Sequence, residues 1–240
     1  KMIDNINVRK FVWPDLKRFT YIFNEINNAN GTEKERNVDF MRQFLSQPLL
    51  SPENNCYVAE THGTPVGFVL LDPEIQIGRI VLTGGVLRSH NNNGIGRKLL
   101  KIALGHAMDM DMSVMDVAIQ EGEIISSHIL MEEGFKVVKK YSQMMWNDHE
   151  IHEKELPLGF YSRHFQLSSD EQALTSLQNE VFDQSWGFCP NTVEQIKARV
   201  RFNPCDPKGI IFVMKDEEFA AYNWTIRLSN KIGSTGTISM

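Results

Sequence analysis

Val86-Leu87-Arg88-Ser89-His90-Asn91-Asn92-Asn93-Gly94-Ile95-Gly96-Arg97-Lys98-Leu99-Leu100 is the stretch on which the reading of this chain turns. Its left end closes an apolar run, Gly78 to Leu87, that reads as a strand. Its right end opens a helix, Gly94 to Met108, with Ile95, Leu99, Ile102, Ala103 and Ala107 on one face. Glycines at a strand-to-helix junction let backbone N–H groups approach a ligand with no Cβ in the way. The helix start adds unpaired N–H donors and about half a positive charge. Together they make an anion site suited to a pyrophosphate, to which Arg97 and Lys98 add full charges.

Two other phosphate loops do not fit. A nucleoside triphosphatase loop needs Ser or Thr after its lysine, and Lys98 is followed by Leu99. A dinucleotide fingerprint needs a third glycine where Leu99 stands. A glycine pair at a helix start is, by itself, also what an ordinary loop looks like, so the surroundings decide.

Toward the N-terminus, Asn5 to Val12 alternates as a strand. Pro14-Asp15 opens a helix carrying Leu16, Phe19, Ile22, Phe23 and Ile26, closed by the breakers Asn27 to Gly31, and a short helix follows over Val38 to Leu45. Cys56–Glu60 and Pro65–Leu71 form a hairpin around Thr61-His62-Gly63-Thr64. Toward the C-terminus, Ser113–Ile119 reads as a strand, Glu121–Glu133 as a helix stopped by Gly134, and Phe135–Trp146 as a final long strand. The order predicts an α/β (α+β) fold: a mixed, mostly antiparallel sheet flanked by helices.

The chain has 240 residues, 42% hydrophobic and 23% charged, with a net charge of −5. That balance argues against a nucleic-acid or anionic-lipid binder, which needs a basic face. No apolar run reaches the roughly 18 residues of a membrane helix. Cys56, Cys189 and Cys205 are too few and too scattered for a disulfide framework or a metal site, so free thiols in a reducing cytoplasm are expected.

In these residues the chain resembles the GNAT N-acetyltransferase superfamily. That family's cofactor motif has Val, Pro two residues on, Arg or Gln three further, Gly three further, and Gly or Ala two beyond. Val86, Gly94 and Gly96 match; Arg88 stands for the proline and Asn91 for the Arg or Gln. The family's second signature, a helix closing on Gly-Phe, is matched by Met131-Glu132-Glu133-Gly134-Phe135. The resemblance implies acetyl-CoA as co-substrate and no metal. It implies a cofactor site of Val86, Leu87, Arg88, Asn91, Asn93, Gly94, Ile95, Gly96, Arg97 and Lys98. Glycines inside a strand, as at Gly84-Gly85, mark a bulge or a close backbone approach, and the resemblance implies a strand that bulges and splays there. It also implies that a backbone N–H near Val86 or Leu87 polarises the thioester carbonyl.

Amine acetylation needs a group to take the ammonium's proton and one to serve the leaving thiolate. The family's usual tyrosine acid falls at Leu130, and the strand Arg79–Leu87 has no carboxylate. Ser127, His128 and His90 are the replacement candidates; His149 and His152 read as solvated linker residues. Two functions follow. One is transfer of an acetyl group to a primary amine of a small molecule or peptide. The other is a non-catalytic CoA-binding scaffold that supports a catalytic second domain.

From Phe160 the pattern begins again: strand Phe160–Leu167, two helices marked by Leu174, Leu177, Val181 and Phe182, and by Val193, Ile196 and Val200, then strands Ile210–Met214 and Phe219–Leu228. The resemblance is to tandem members of the superfamily, the mycothiol synthase type among them, with Phe202-Asn203-Pro204 part of the likeness and the second unit incomplete. The expected organisation is a GNAT domain over 1–147, a linker over 148–158 and a partial second unit over 159–240. The run Phe219–Ile226 is expected to be an adhesive edge, covered by Phe135–Trp146, by a second copy of the chain in a homodimer, or by residues beyond Met240.

Overall fold

A computed structural model of the chain describes residues 6–27, 36–142, 144, 154–202, 205–229 and 234–239. The first half forms a five-stranded sheet in the order β1 (Ile6–Lys10), β2 (Cys56–Thr61), β3 (Thr64–Glu74), β4 (Arg79–Val86), β5 (Val114–Val117). The first three pairings are antiparallel and the last, β4 to β5, is parallel. Helices α1 (Leu16–Asn27), α2 (Val38–Leu45) and the single turn α3 (Pro52–Asn55) separate β1 from β2. Helix α4 (Ile95–Asp109) makes the crossover to β5, and α5 (Ile124–Glu132) follows.

Local chemistry explains the starts. The Asp15 carboxylate accepts the Val12 N–H at 3.1 Å and turns the chain into α1, and Asn37 caps α2 by accepting the Phe40 N–H at 2.7 Å. Every residue from Val66 to Leu71 on β3 is buried, so both faces of the sheet are covered there. Helix α1 lies on the Phe68 face, with the Phe19 and Phe68 rings 4.4 Å apart, and α4 contacts β2, β3 and β4 through buried Leu99, Leu100 and Ala103.

Two expectations are corrected here. Residues 135–142 carry no strand, and Val137 and Val138 stay exposed; Gln143 and the end of the expected strand, Met145 and Trp146, lie outside the described residues. The run Lys136-Val137-Val138-Lys139-Lys140 becomes a strand only where a neighbour offers a ladder, and among the described residues none does. Nor does Gly84-Gly85 bulge: the β3–β4 register runs unbroken from Gly67↔Val86 to Glu74↔Arg79.

The C-terminal half holds β6 (Phe160–His164), α6 (Glu171–Phe182), α7 (Val193–Val200), β7 (Ile210–Lys215), β8 (Glu218–Ser229) and β9 (Ser234–Ser239), its four strands all antiparallel in sequence order. Strand β9 falls where the repeat's next strand belongs. It pairs with β8 from Trp224↔Ser239 to Ser229↔Ser234, so the chain itself covers that part of the edge assigned above to other partners. Of the expected linker, residues 148–153 with His149 and His152 lie outside the described residues, as do 28–31, Asn203 and Pro204.

The two halves repeat each other bond by bond. Arg9 grips Asp15 through two nitrogens at 2.6 and 2.8 Å, and Arg163 grips Asp170 at 2.6 and 3.0 Å. Asn24 pairs both ways with the Arg36 backbone, and Asn179 does so with Asn191. The Phe11 N–H donates to Cys56 O, as Phe165 does to Ile210 O. The register slips between Ala59 and Glu60 in β2 and between Val213 and Met214 in β7. The halves touch through the Phe40 and Phe202 rings, 4.7 Å apart, and through Arg79 Nη2, which donates to the Gly187 carbonyl at 2.6 Å.

Candidate active site

Strand β4 outruns its partner. Its pairing with β5 ends at Leu82↔Val117, yet β4 continues to Val86, so the two strands part and a cleft of about 860 Å³ opens between them. The cleft is closed at one end by the loop after β4 and the first turn of α4, and on the far wall by α5. The splayed strand implied by the family resemblance is therefore present, without the bulge.

Glycine is required around the opening for contact, not flexibility. A Cβ on Gly84 would lie 2.5 Å from the Phe68 carbonyl, and one on Gly67 would lie 2.8 Å from the Gly85 carbonyl. On the other face, Ile26 of α1 occupies the space over Gly85, 3.0 Å from where a Cβ would stand. Strand alternation then sets the donors. The Leu87 N–H is spent on Val66 O at 2.9 Å, so the N–H groups of Val86 and Gly84 point the opposite way, toward the cleft.

At the closed end, Gly94 sits at φ +76°, a left-handed conformation that suits glycine, and no side chain caps α4. The N–H groups of its first turn face the cleft with the positive end of the helix dipole behind them. Gly96 leaves room there: the nearest atom to a Cβ would be 3.8 Å away, on Ile129.

The expected cofactor residues divide. Val86, Arg88, Asn91, Gly94, Ile95, Gly96 and Arg97 line the cleft. Leu87 is buried in the core, Asn93 donates to His90 O at 3.4 Å, and Lys98 turns away to donate to Ile6 O at 2.8 Å. Arg97 is itself engaged by Glu132, with Glu133 at 3.7 Å, and the guanidinium holds the Glu132 carboxyl below the usual carboxylate range.

Of the acid–base candidates, His128 and His90 border the cleft. His128 Nδ1 is 3.5 Å from Glu132 Oε2. Ser127 does not border it, and Ser126 does. Leu130 is buried and forms part of the wall. Two carboxylates on the lining escaped the sequence reading, Glu25 from α1 and Glu123 at the start of α5. In sequence Glu25 reads as a solvent-facing helix residue; only the glycine pair on β4 hinted that α1 could come close there. Among the described residues no cluster of His, Cys, Asp or Glu is arranged to hold a metal ion, and no helix is long and apolar enough to cross a membrane. All three cysteines are free.

Residues 16–132 match the Acetyltransferase (GNAT) family. A mycothiol acetyltransferase of Segniliparus rotundus is 23% identical over 192 residues, covering 77% of this chain and 69% of that protein. The crystal structure of a GCN5-related N-acetyltransferase from Sphaerobacter thermophilus has the same fold, with a TM-score of 0.72 at 15% identity, over 99% of this chain and 76% of that one. With its parted β4–β5 pair and uncapped α4 start lying inside the matched residues, the first half of the chain matches the GNAT acetyltransferase family.

Proposed function

We propose that the first half of this protein binds acetyl-CoA and transfers its acetyl group to a primary amine of a small molecule or peptide. The observation that carries this reading is the uncapped start of α4, with Gly94 and Gly96, opening onto the cleft between β4 and β5. In this reading the pyrophosphate rests on the first-turn N–H groups of α4, and the pantetheine arm lies along the unpaired half of β4. The cleft-facing N–H groups of Gly84 and Val86 bind the arm and the thioester carbonyl, whose oxygen gains negative charge as nitrogen attacks. Of the ten residues assigned to the cofactor, Leu87 and Asn93 then serve the shape of the loop, and Lys98 ties α4 to β1.

The same reading divides the chain into an acetyltransferase domain over 1–147, a linker over 148–158 and a partial repeat over 159–240. The repeated Arg–Asp grips and Asn–backbone pairs support it. Among the described residues of the repeat no glycine loop opens a helix, so one cofactor per chain of this length is expected.

A thiol-release assay with acetyl-CoA across a panel of primary amines tests the reaction. Amine-dependent release of CoA is the expected result. Tight acetyl-CoA binding with no release above the hydrolysis background would instead support the non-catalytic reading.

A further inference from the structure

The cleft contains a carboxylate that neither the motif nor the family resemblance assigns. Glu25 lies in the last turn of α1, is solvent-exposed, and borders the cleft where Ile26 packs over Gly85. No hydrogen bond or ion pair holds its carboxylate among the described residues. It stands on the α1 face of β4, beside the part of the strand whose Gly84 and Val86 N–H groups turn into the cleft. The carbonyl groups that end α1 add negative potential, which favours a cation.

The geometry points to Glu25 as the proton acceptor of the reaction, and to the part of the cleft that Glu25 borders as the docking place of a cationic primary amine. This rests on the reading given under Proposed function. The other charged or titratable side chains on the cleft are Arg88 and His90 of the loop, Arg97 of α4, and Glu123 and His128 of α5. Arg97 is engaged by Glu132, and His128 sits beside the same carboxylate on the far wall. Glu123 opens α5, on that far wall too. Glu25 alone faces β4 from the opposite side.

The step balances as follows. The ammonium gives one proton to the Glu25 carboxylate, which passes it to water through its exposed side. The free amine attacks the carbonyl carbon, a C–N bond forms, and the C–S bond breaks with its electron pair leaving on sulfur. The nitrogen sheds its second proton, which ends on the thiolate. The products are the amide, CoA thiol and one proton in solution.

The test compares wild type, Glu25→Gln and Glu25→Asp by calorimetry with acetyl-CoA and by thiol release with n-butylamine, spermidine and glucosamine. Glu25→Gln is expected to leave acetyl-CoA affinity unchanged and to lower kcat/KM about a hundredfold at pH 7. For n-butylamine the defect should shrink as pH rises toward the amine's own pKa, about 10, because the free amine then needs no base. Glu25→Asp should keep part of the rate. A merely structural role would give a fall independent of pH, and that result overturns the assignment, as do wild-type rates in the Gln variant. A chain that binds acetyl-CoA but acetylates no amine overturns it too. Failure of wild type to bind acetyl-CoA would sink the cofactor reading itself, and this assignment with it.

Discussion

Leu130 is the residue at which family expectation and chemistry part. It is buried in the wall of the cleft, at the position where the family resemblance implies a tyrosine acid. With no acid in that position the thiolate draws its proton from water, from the nitrogen or from another side chain of the cleft such as His128, and turnover should be slow. Leu130→Tyr is expected to raise kcat about a hundredfold, the low end of what a restored general acid supplies. Stopped-flow thiol release measures it, and a rate no higher than wild type in a folded variant would show that the missing hydroxyl limits nothing. Asp15 poses a structural question of the same size. The Arg9 guanidinium and the Val12 N–H hold its carboxyl below the usual range, against burial. Because the folded-state pKa is depressed, the stabilisation is fully present above the unfolded value of about 4 and is lost as pH falls through the folded value. Asp15→Asn should cost about 2 kcal/mol at pH 7, and the gap should close as pH drops below about 4, followed by urea unfolding. Sequence showed Asp15 as the opener of a helix. It could not show Arg9 across from it, since that contact exists only once β1 and α1 have folded together.

Strand β4 and helix α4 were legible because each announces itself: an apolar run, a glycine loop, then a 3.6-residue period. The glycine pair was legible as an anomaly of one of two kinds, a bulge or a close backbone approach, and it is the close approach of β3 to β4 that excludes side chains there. Phe135–Trp146 was misread because a strand pattern is only half of a strand. Its other half is a ladder, and β5, four residues long, offers little of one. Strand β9 is the converse case: Ser234-Thr235-Gly236-Thr237-Ile238-Ser239 carries little strand pattern of its own, and β8 offers it a ladder. The base of the cleft has its own fastener. Arg79 on β4 binds Glu74, reaches Asp116 of β5 at 3.1 Å, and donates to Gly187 O in the C-terminal half. Arg79→Met should destabilise the fold by about 2 kcal/mol, the worth of charged hydrogen bonds with little exposure. Amide exchange over Val114–Val117 should quicken before that over β2 and β3, and equal protection throughout would show that the parallel pair does not depend on it.

At the scale of the whole molecule, the chain is one pattern of strand, two helices and hairpin used twice, and among the described residues a glycine loop opens a helix in the first copy. The second copy keeps the parts that stabilise, the Arg163–Asp170 grip and the Asn179–Asn191 pair, and carries β9 beside β8. Removing β9 should expose the β8 ladder from Trp224 onward, and light scattering should then show association that the full chain lacks. The central claim is that the α4 start is the single acetyl-CoA site. Calorimetric titration of acetyl-CoA into wild type and Gly96→Asp tests it most directly, because an aspartate there has room within the protein yet points its charge at the pyrophosphate. One acetyl-CoA per chain in wild type, and no measurable binding in a folded Gly96→Asp variant, is the predicted result; two per chain, or undiminished affinity in the variant, would contradict it.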